Sequence, residues 1–89
     1  MSTETVYQLN PLFRLQWEEA QQCYVLLYPE GMVQLGASSA EILKCIDGEK
    51  SVQMIADDLS AKFDDDSVAG DVIEFFDVAA KQGWLNANT

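Results

Sequence analysis

Residues 13–35, FRLQWEEAQQCYVLLYPEGMVQL, decide how this chain folds. Phe13, Leu15 and Trp17 alternate with Arg14 and Gln16, the period of two expected of a half-buried strand. The polar segment from Glu18 to Gln22 is a connection. Cys23 to Tyr28 is nearly continuous in apolar and β-favouring residues, so it is read as the central strand. Tyr28-Pro29-Glu30-Gly31 is a turn in which Pro presets φ at the second position. Met32 to Leu35 returns as a short third strand between Gly31 and Gly36. Two successive hairpins make an antiparallel meander. Everything after Gly36 reads as helix, so at least one long sheet edge is left without a partner from this chain. In a small protein an open edge is either protected or used.

The residues before this stretch, 1–10, are polar and are read as a flexible arm, with Asn10-Pro11 marking entry into the fold. The residues after it change to a helical period. Ser38-Ser39-Ala40-Glu41 fits a capping box, with Ser38 as N-cap. The helix it opens places Ile42, Leu43 and Ile46 on one side and stops at Asp47-Gly48. Ser51 is the expected cap of a second helix with an apolar face of Val52, Ile55, Ala56, Leu59 and Phe63. A third helix carries Val68, Val72, Phe75, Phe76 and Ala79, and Gly83 suits the left-handed position after its end. Trp84 and Leu85 are expected to fold back on the core. The reading is one α+β domain over residues 11–85, with 86–89 as a tail. Its three-stranded antiparallel sheet followed by three helices is like a winged helix-turn-helix.

Composition narrows the function. The 89 residues suffice for one modest core, and 48% hydrophobic content suits a globular domain. No apolar run approaches the ~20 residues of a membrane span, and the first residues lack the basic start and apolar core of a secretory signal. Fifteen acidic residues stand against five basic, a net charge of −10. Binding nucleic acid requires clustered Lys and Arg to neutralise phosphates, so a winged-helix transcription factor is disfavoured. Histidine is absent, which removes the commonest general acid-base group and transition-metal ligand. Cys23 and Cys45 lack CxxC spacing and are read as free thiols, reduced in a cytoplasmic protein.

No cluster of residues points to catalysis. Glu18 and Glu19 are adjacent in a connection, where neighbouring side chains rarely converge on one substrate. Asp64-Asp65-Asp66 lacks the spacing of a calcium loop and is read as a helix entry. No phosphate loop, nucleophile elbow or metal box is present, so no enzyme, cofactor or metal site is expected. The sheet edge is the stronger candidate. An extended peptide can join such an edge as a further strand, its backbone giving affinity and side-chain pockets giving specificity. The same edge could also pair with a second copy, making a homodimer.

Two long strings, RLQWEEAQ at 14–21 and LLYPEGMV at 26–33, carry a resemblance. With Ala40-Glu41-Ile42-Leu43, Asp47-Gly48, Asp71-Val72 and the closing Gly83-Trp84-Leu85, the chain resembles the PqqD family of pyrroloquinoline quinone (PQQ) biosynthesis, from about Pro11 to Leu85. It departs from the family pattern at Gly36, where a polar residue such as Asn is usual. The resemblance implies a winged helix-turn-helix-like fold and a non-catalytic peptide chaperone. Such a chaperone binds the precursor peptide PqqA and presents it to the radical SAM enzyme PqqE. It further implies that the peptide lies along the third strand, Met32 to Leu35, and the exposed parts of the third helix from Asp71 to Ala79. The expected peptide-binding residues are therefore Met32, Val33, Gln34 and Leu35, with Val72, Phe75, Phe76 and Ala79.

Overall fold

The computed structural model describes residues 3–88. The elements run β1 (Tyr7–Leu9), β2 (Arg14–Glu18), β3 (Cys23–Tyr28), β4 (Gly31–Gln34), α1 (Ala37–Lys44), α2 (Val52–Phe63), α3 (Ser67–Lys81) and β5 (Leu85–Ala87). The α+β architecture is the expected one, an antiparallel sheet in the order β2-β3-β4 followed by three helices.

The meander register follows from its alternation. Leu15, Leu26 and Val33 form one cross-strand row, and all three belong to the core or pack against it. The rows Gln16-Val25-Gln34 and Arg14-Leu27-Met32 lie on the opposite face. Slipping β3 by one residue would take Leu26, which is wholly buried, out of this row, and slipping β2 or β4 would do the same to Leu15 or Val33. Pro29 and Glu30 form the loop, closed by the pair Tyr28 and Gly31.

Three features depart from the sequence reading. First, Tyr7–Leu9, expected in a loose arm, pair antiparallel with Leu85–Ala87, expected in part as a tail. The driving contact is Tyr7, buried with its ring stacked on Phe76 at 5.7 Å between centroids. The backbone before it is also tied down. Thr3 and Thr5 carbonyls accept from Gln53 and Val52 N–H, adding to the Ser51 side chain that caps α2 through Met54 N–H. These bonds satisfy donors that a helix start leaves free. Residues 1, 2 and 89 of the expected arm and tail lie outside the described residues.

Second, α1 starts at Ala37 with Gly36 as N-cap and no side-chain cap bond. Ser38 is already inside the first turn. Glu41, the other half of the expected capping box, instead pairs with Lys44 at 3.2 Å and Lys62 at 3.0 Å. Ile46 lies past the end of α1, half-buried in the following turn. Third, Phe63 is the last residue of α2 and is 51% exposed. The chain turns away at Asp64, which takes a left-handed conformation (φ 51°).

The core is otherwise the expected one. Val52, Ile55, Ala56 and Leu59 of α2 meet Val72, Phe76 and Ala79 of α3, and α1 adds Ala40, Ile42 and Leu43. Gly83 follows α3 with φ 81°, where a side chain would be strained. Asp47 organises the α1–α2 turn by accepting from Lys50 and Glu49 N–H at 3.0 and 2.9 Å, which holds its carboxyl below the usual range. Two of the three consecutive aspartates have structural roles. Asp64 ends α2, and Asp65 accepts from the N–H and hydroxyl of Ser67 to start α3. Among the described residues no group of His, Cys, Asp or Glu is placed to hold a metal ion, and no helix is long and apolar enough to cross a membrane. Cys23 and Cys45 are free and half-buried.

Candidate functional site

β4 pairs only with β3 among the described residues, so its second edge is open. The orientation of its backbone follows from one bond and the antiparallel alternation. Leu35 N–H donates to the Tyr24 carbonyl, and successive residues of an antiparallel strand turn their polar groups to opposite sides. Val33 therefore faces β3, while the N–H and C=O of Met32 and Gln34 face outward. Their side chains are exposed, Met32 by 44%. Val33 is half-buried against the core, and Leu35, just past β4, is 7% exposed.

Gly36 joins this edge directly to α1, whose first turn opens onto a groove of about 680 Å³ between α1, α2 and α3. Ile42, Leu59, Val68 and Val72 give the groove an apolar floor. Phe63 and Val78, both about half exposed, form its apolar rim. Phase along α3 explains the arrangement. Val72, Phe76 and Ala79 point into the core. Asp71, Phe75 and Val78, each one position away, and Glu74, two away, line the groove, whose floor Val72 also borders. Phe75 is steadied from behind by Trp84, with ring centroids 6.4 Å apart.

The expected site residues thus separate. Met32 and Gln34 stand on the open edge, and Val72 and Phe75 line the groove. Phe76 and Ala79 are wholly buried and do not line it; Phe76 belongs to the core through its stack on Tyr7. Phe63 was not singled out as a site residue from the sequence, and Asp71, Glu74 and Val78 were covered only by the range Asp71 to Ala79, not named one by one. The available signal was Val78, an apolar residue outside the stripe that the core accounts for.

The groove is acidic. Glu41, Asp65, Asp71 and Glu74 line it, with no Lys or Arg. Glu41 is held below the usual carboxylate range, first by its hydrogen bond from Lys62 and then by that from Lys44. The Ser67 hydroxyl does the same for Asp65. Among the described residues these groups form no nucleophile-base pair. The arrangement is an open strand edge running into a shaped apolar groove with an anionic rim, which suits an extended chain better than a small substrate.

Comparison with known proteins meets this geometry. The family model for coenzyme PQQ synthesis protein D matches residues 23–85. The chain belongs to the PqqD family. Two relatives are called PqqA binding protein. One, from Methylococcus capsulatus, is 44% identical over 96% of this chain and 91% of its own length. The other, from Azotobacter vinelandii, is 48% identical over 88% and 86%. The fold is similar to the solution structure of the PqqD truncation of Methylobacterium extorquens PqqCD, with a TM-score of 0.80 and 29% identity over 96% of this chain and 93% of that one. That protein is described as a functional, stand-alone recognition element for ribosomally synthesised and post-translationally modified peptides. The crystal structure of PqqD from Xanthomonas campestris is also similar, with a TM-score of 0.59 and 32% identity over 97% and 98%.

Proposed function

We propose that this chain is a non-catalytic cytoplasmic peptide chaperone of PQQ biosynthesis. It captures PqqA by strand addition along β4 and presents it to PqqE. The observation that carries the docking mode is the outward N–H and C=O of Met32 and Gln34, on an edge that leads through Gly36 into the groove. The peptide class is supported by relatives named for PqqA binding that align along nearly the whole chain. That name, a binding protein, also favours a carrier over a catalyst. Pairing with β4 gives affinity through the backbone, and the groove reads side chains. Ordering a flexible peptide costs conformational entropy, so moderate affinity is expected. Holding it beside PqqE raises its effective concentration there.

The test is a titration of ¹⁵N-labelled protein with PqqA, followed by addition of PqqE. Amide shifts are expected at Met32–Leu35 and along the groove side of α3, and the complex is expected to recruit PqqE. Shifts confined to β2 or the β1–β5 ribbon would sink the docking mode. Sedimentation separates the homodimer alternative: a second copy on β4 would dissociate as PqqA binds.

A further inference from the structure

We infer that the groove between α1, α2 and α3 receives a cationic side chain of the bound peptide, a Lys or Arg flanked by apolar residues, between Asp71 and Glu74. This deepens the reading that a peptide docks on β4, and rests on it. Asp71 and Glu74 stand three residues apart on one face of α3, a spacing that puts both carboxylates on one patch. Neither makes an ion pair or hydrogen bond among the described residues, whereas the other two carboxylates of the groove are engaged, Glu41 by lysines and Asp65 by Ser67.

The chain's own cations do not meet this pair. It has four lysines and one arginine. Lys44 and Lys62 go to Glu41, Lys50 to Asp58 and Lys81 to Asp77. Arg14 lies on the outer face of the sheet, opposite Leu27. Two exposed carboxylates therefore stand beside an apolar rim in a protein of net charge −10. A field of one sign focused in a cleft concentrates the opposite charge there.

The rim states the rest of the occupant's chemistry. Phe63 and Val78 are large apolar side chains left 51% and 48% exposed on the groove. The Lys62 ammonium lies 5.5 Å from the centre of the Phe63 ring; an aliphatic Lys or Arg stem, or an apolar neighbour, covers Val78 and the rest of Phe63 while the charged head reaches the carboxylates. A second acidic copy of this chain would bring like charge to the same place.

The experiment pairs protein and peptide variants in calorimetric titrations at low and high salt. The probes are PqqA and a PqqA in which every Lys and Arg is replaced by Gln. The protein variants are Asp71→Asn/Glu74→Gln and a control, Glu49→Gln/Asp57→Asn, which removes two charges away from the groove. The groove pair is expected to weaken PqqA binding by roughly fivefold, as expected for a few partly exposed charge contacts. Its salt dependence should be shallower, and it should bind the neutral peptide as the unmodified protein does. Equal affinity of the groove variant and the unmodified protein for PqqA overturns the inference, as does an equal loss in the control. If PqqA binding in those cases still depends on β4, strand docking stands. Absence of PqqA binding by the unmodified protein overturns the underlying reading as well. If the unmodified protein sediments as a dimer that the groove variant breaks, the groove belongs to a second copy and the inference falls.

Discussion

Helix α3 presents two sides that share one backbone and have opposite surroundings. On one side Val72, Phe76 and Ala79 have at most 1% of their surface exposed, packed with Ile55, Leu59 and Tyr7 in the core cluster. On the other, Asp71, Glu74, Phe75 and Val78 line an open groove, with Val72 at the boundary between the two. The first side follows the helical period because burial against a core selects apolar residues every three or four positions. The second mixes apolar and acidic residues, because no packing against a core selects them. A substitution on the core side should register as stability, and one on the groove side as affinity.

The largest expected effect tests that division on the core side. Phe76→Ala should cost about 3–5 kcal/mol, because it removes a wholly buried ring and leaves a cavity under Tyr7. Urea unfolding measures it; a cost below about 1 kcal/mol would place Phe76 outside the core. The next comparison moves the same logic to β4. Val33→Pro removes an N–H bonded to β3 and disturbs a core-facing side chain, so it should destabilise by about 2 kcal/mol or more. Met32→Pro and Gln34→Pro remove outward N–H groups. They should leave the fold nearly intact while weakening PqqA by about tenfold. Equal stability losses in all three would mean the backbone orientation deduced from the Leu35–Tyr24 bond is wrong.

On the groove side, Phe63→Ser/Val78→Ser should change stability by no more than about 0.5 kcal/mol, since both side chains are half exposed. PqqA affinity should fall several-fold. Unchanged affinity would limit docking to β4. The smallest expected effect is electrostatic. Glu41 has a depressed pKa through its bonds from Lys62 and Lys44. A group with a lower pKa when folded stabilises the protein above its unfolded value, near 4.5. That contribution is lost as pH falls through the folded value. The urea midpoint should therefore decline in acid below about pH 4.5. Glu41→Gln should flatten that decline slightly, and added salt should shrink the difference.

Legibility in the sequence follows the same division. The meander could be read because Leu15, Leu26 and Val33 fall into one inward row, and the caps because Ser51 and Gly83 suit single backbone positions. The β1–β5 ribbon could not. Tyr7–Leu9 and Leu85–Ala87 are too short to show a period, and their pairing joins segments from opposite ends of the chain. The Ser38 cap was misplaced because Glu41, free to choose, lies within reach of two lysines. On α3 the core stripe was visible, and Phe75 was read with it. The groove's acidic members could not be told apart one by one, because a paired and an unpaired carboxylate look alike until neighbouring cations are located.

The terminal ribbon has one more consequence. Tyr7 sits directly across from Ala87, and no residue of β1 or β5 lines the groove. Beyond the ribbon Asn88 N–H still donates to the Val6 carbonyl, so the chain enters β1 and leaves β5 side by side. The domain therefore lends itself to circular permutation, with old ends joined by a short loop and new ones opened at the exposed Ala20-Gln21. It can equally be carried at either end of a larger protein without the tether crossing the groove between α1, α2 and α3.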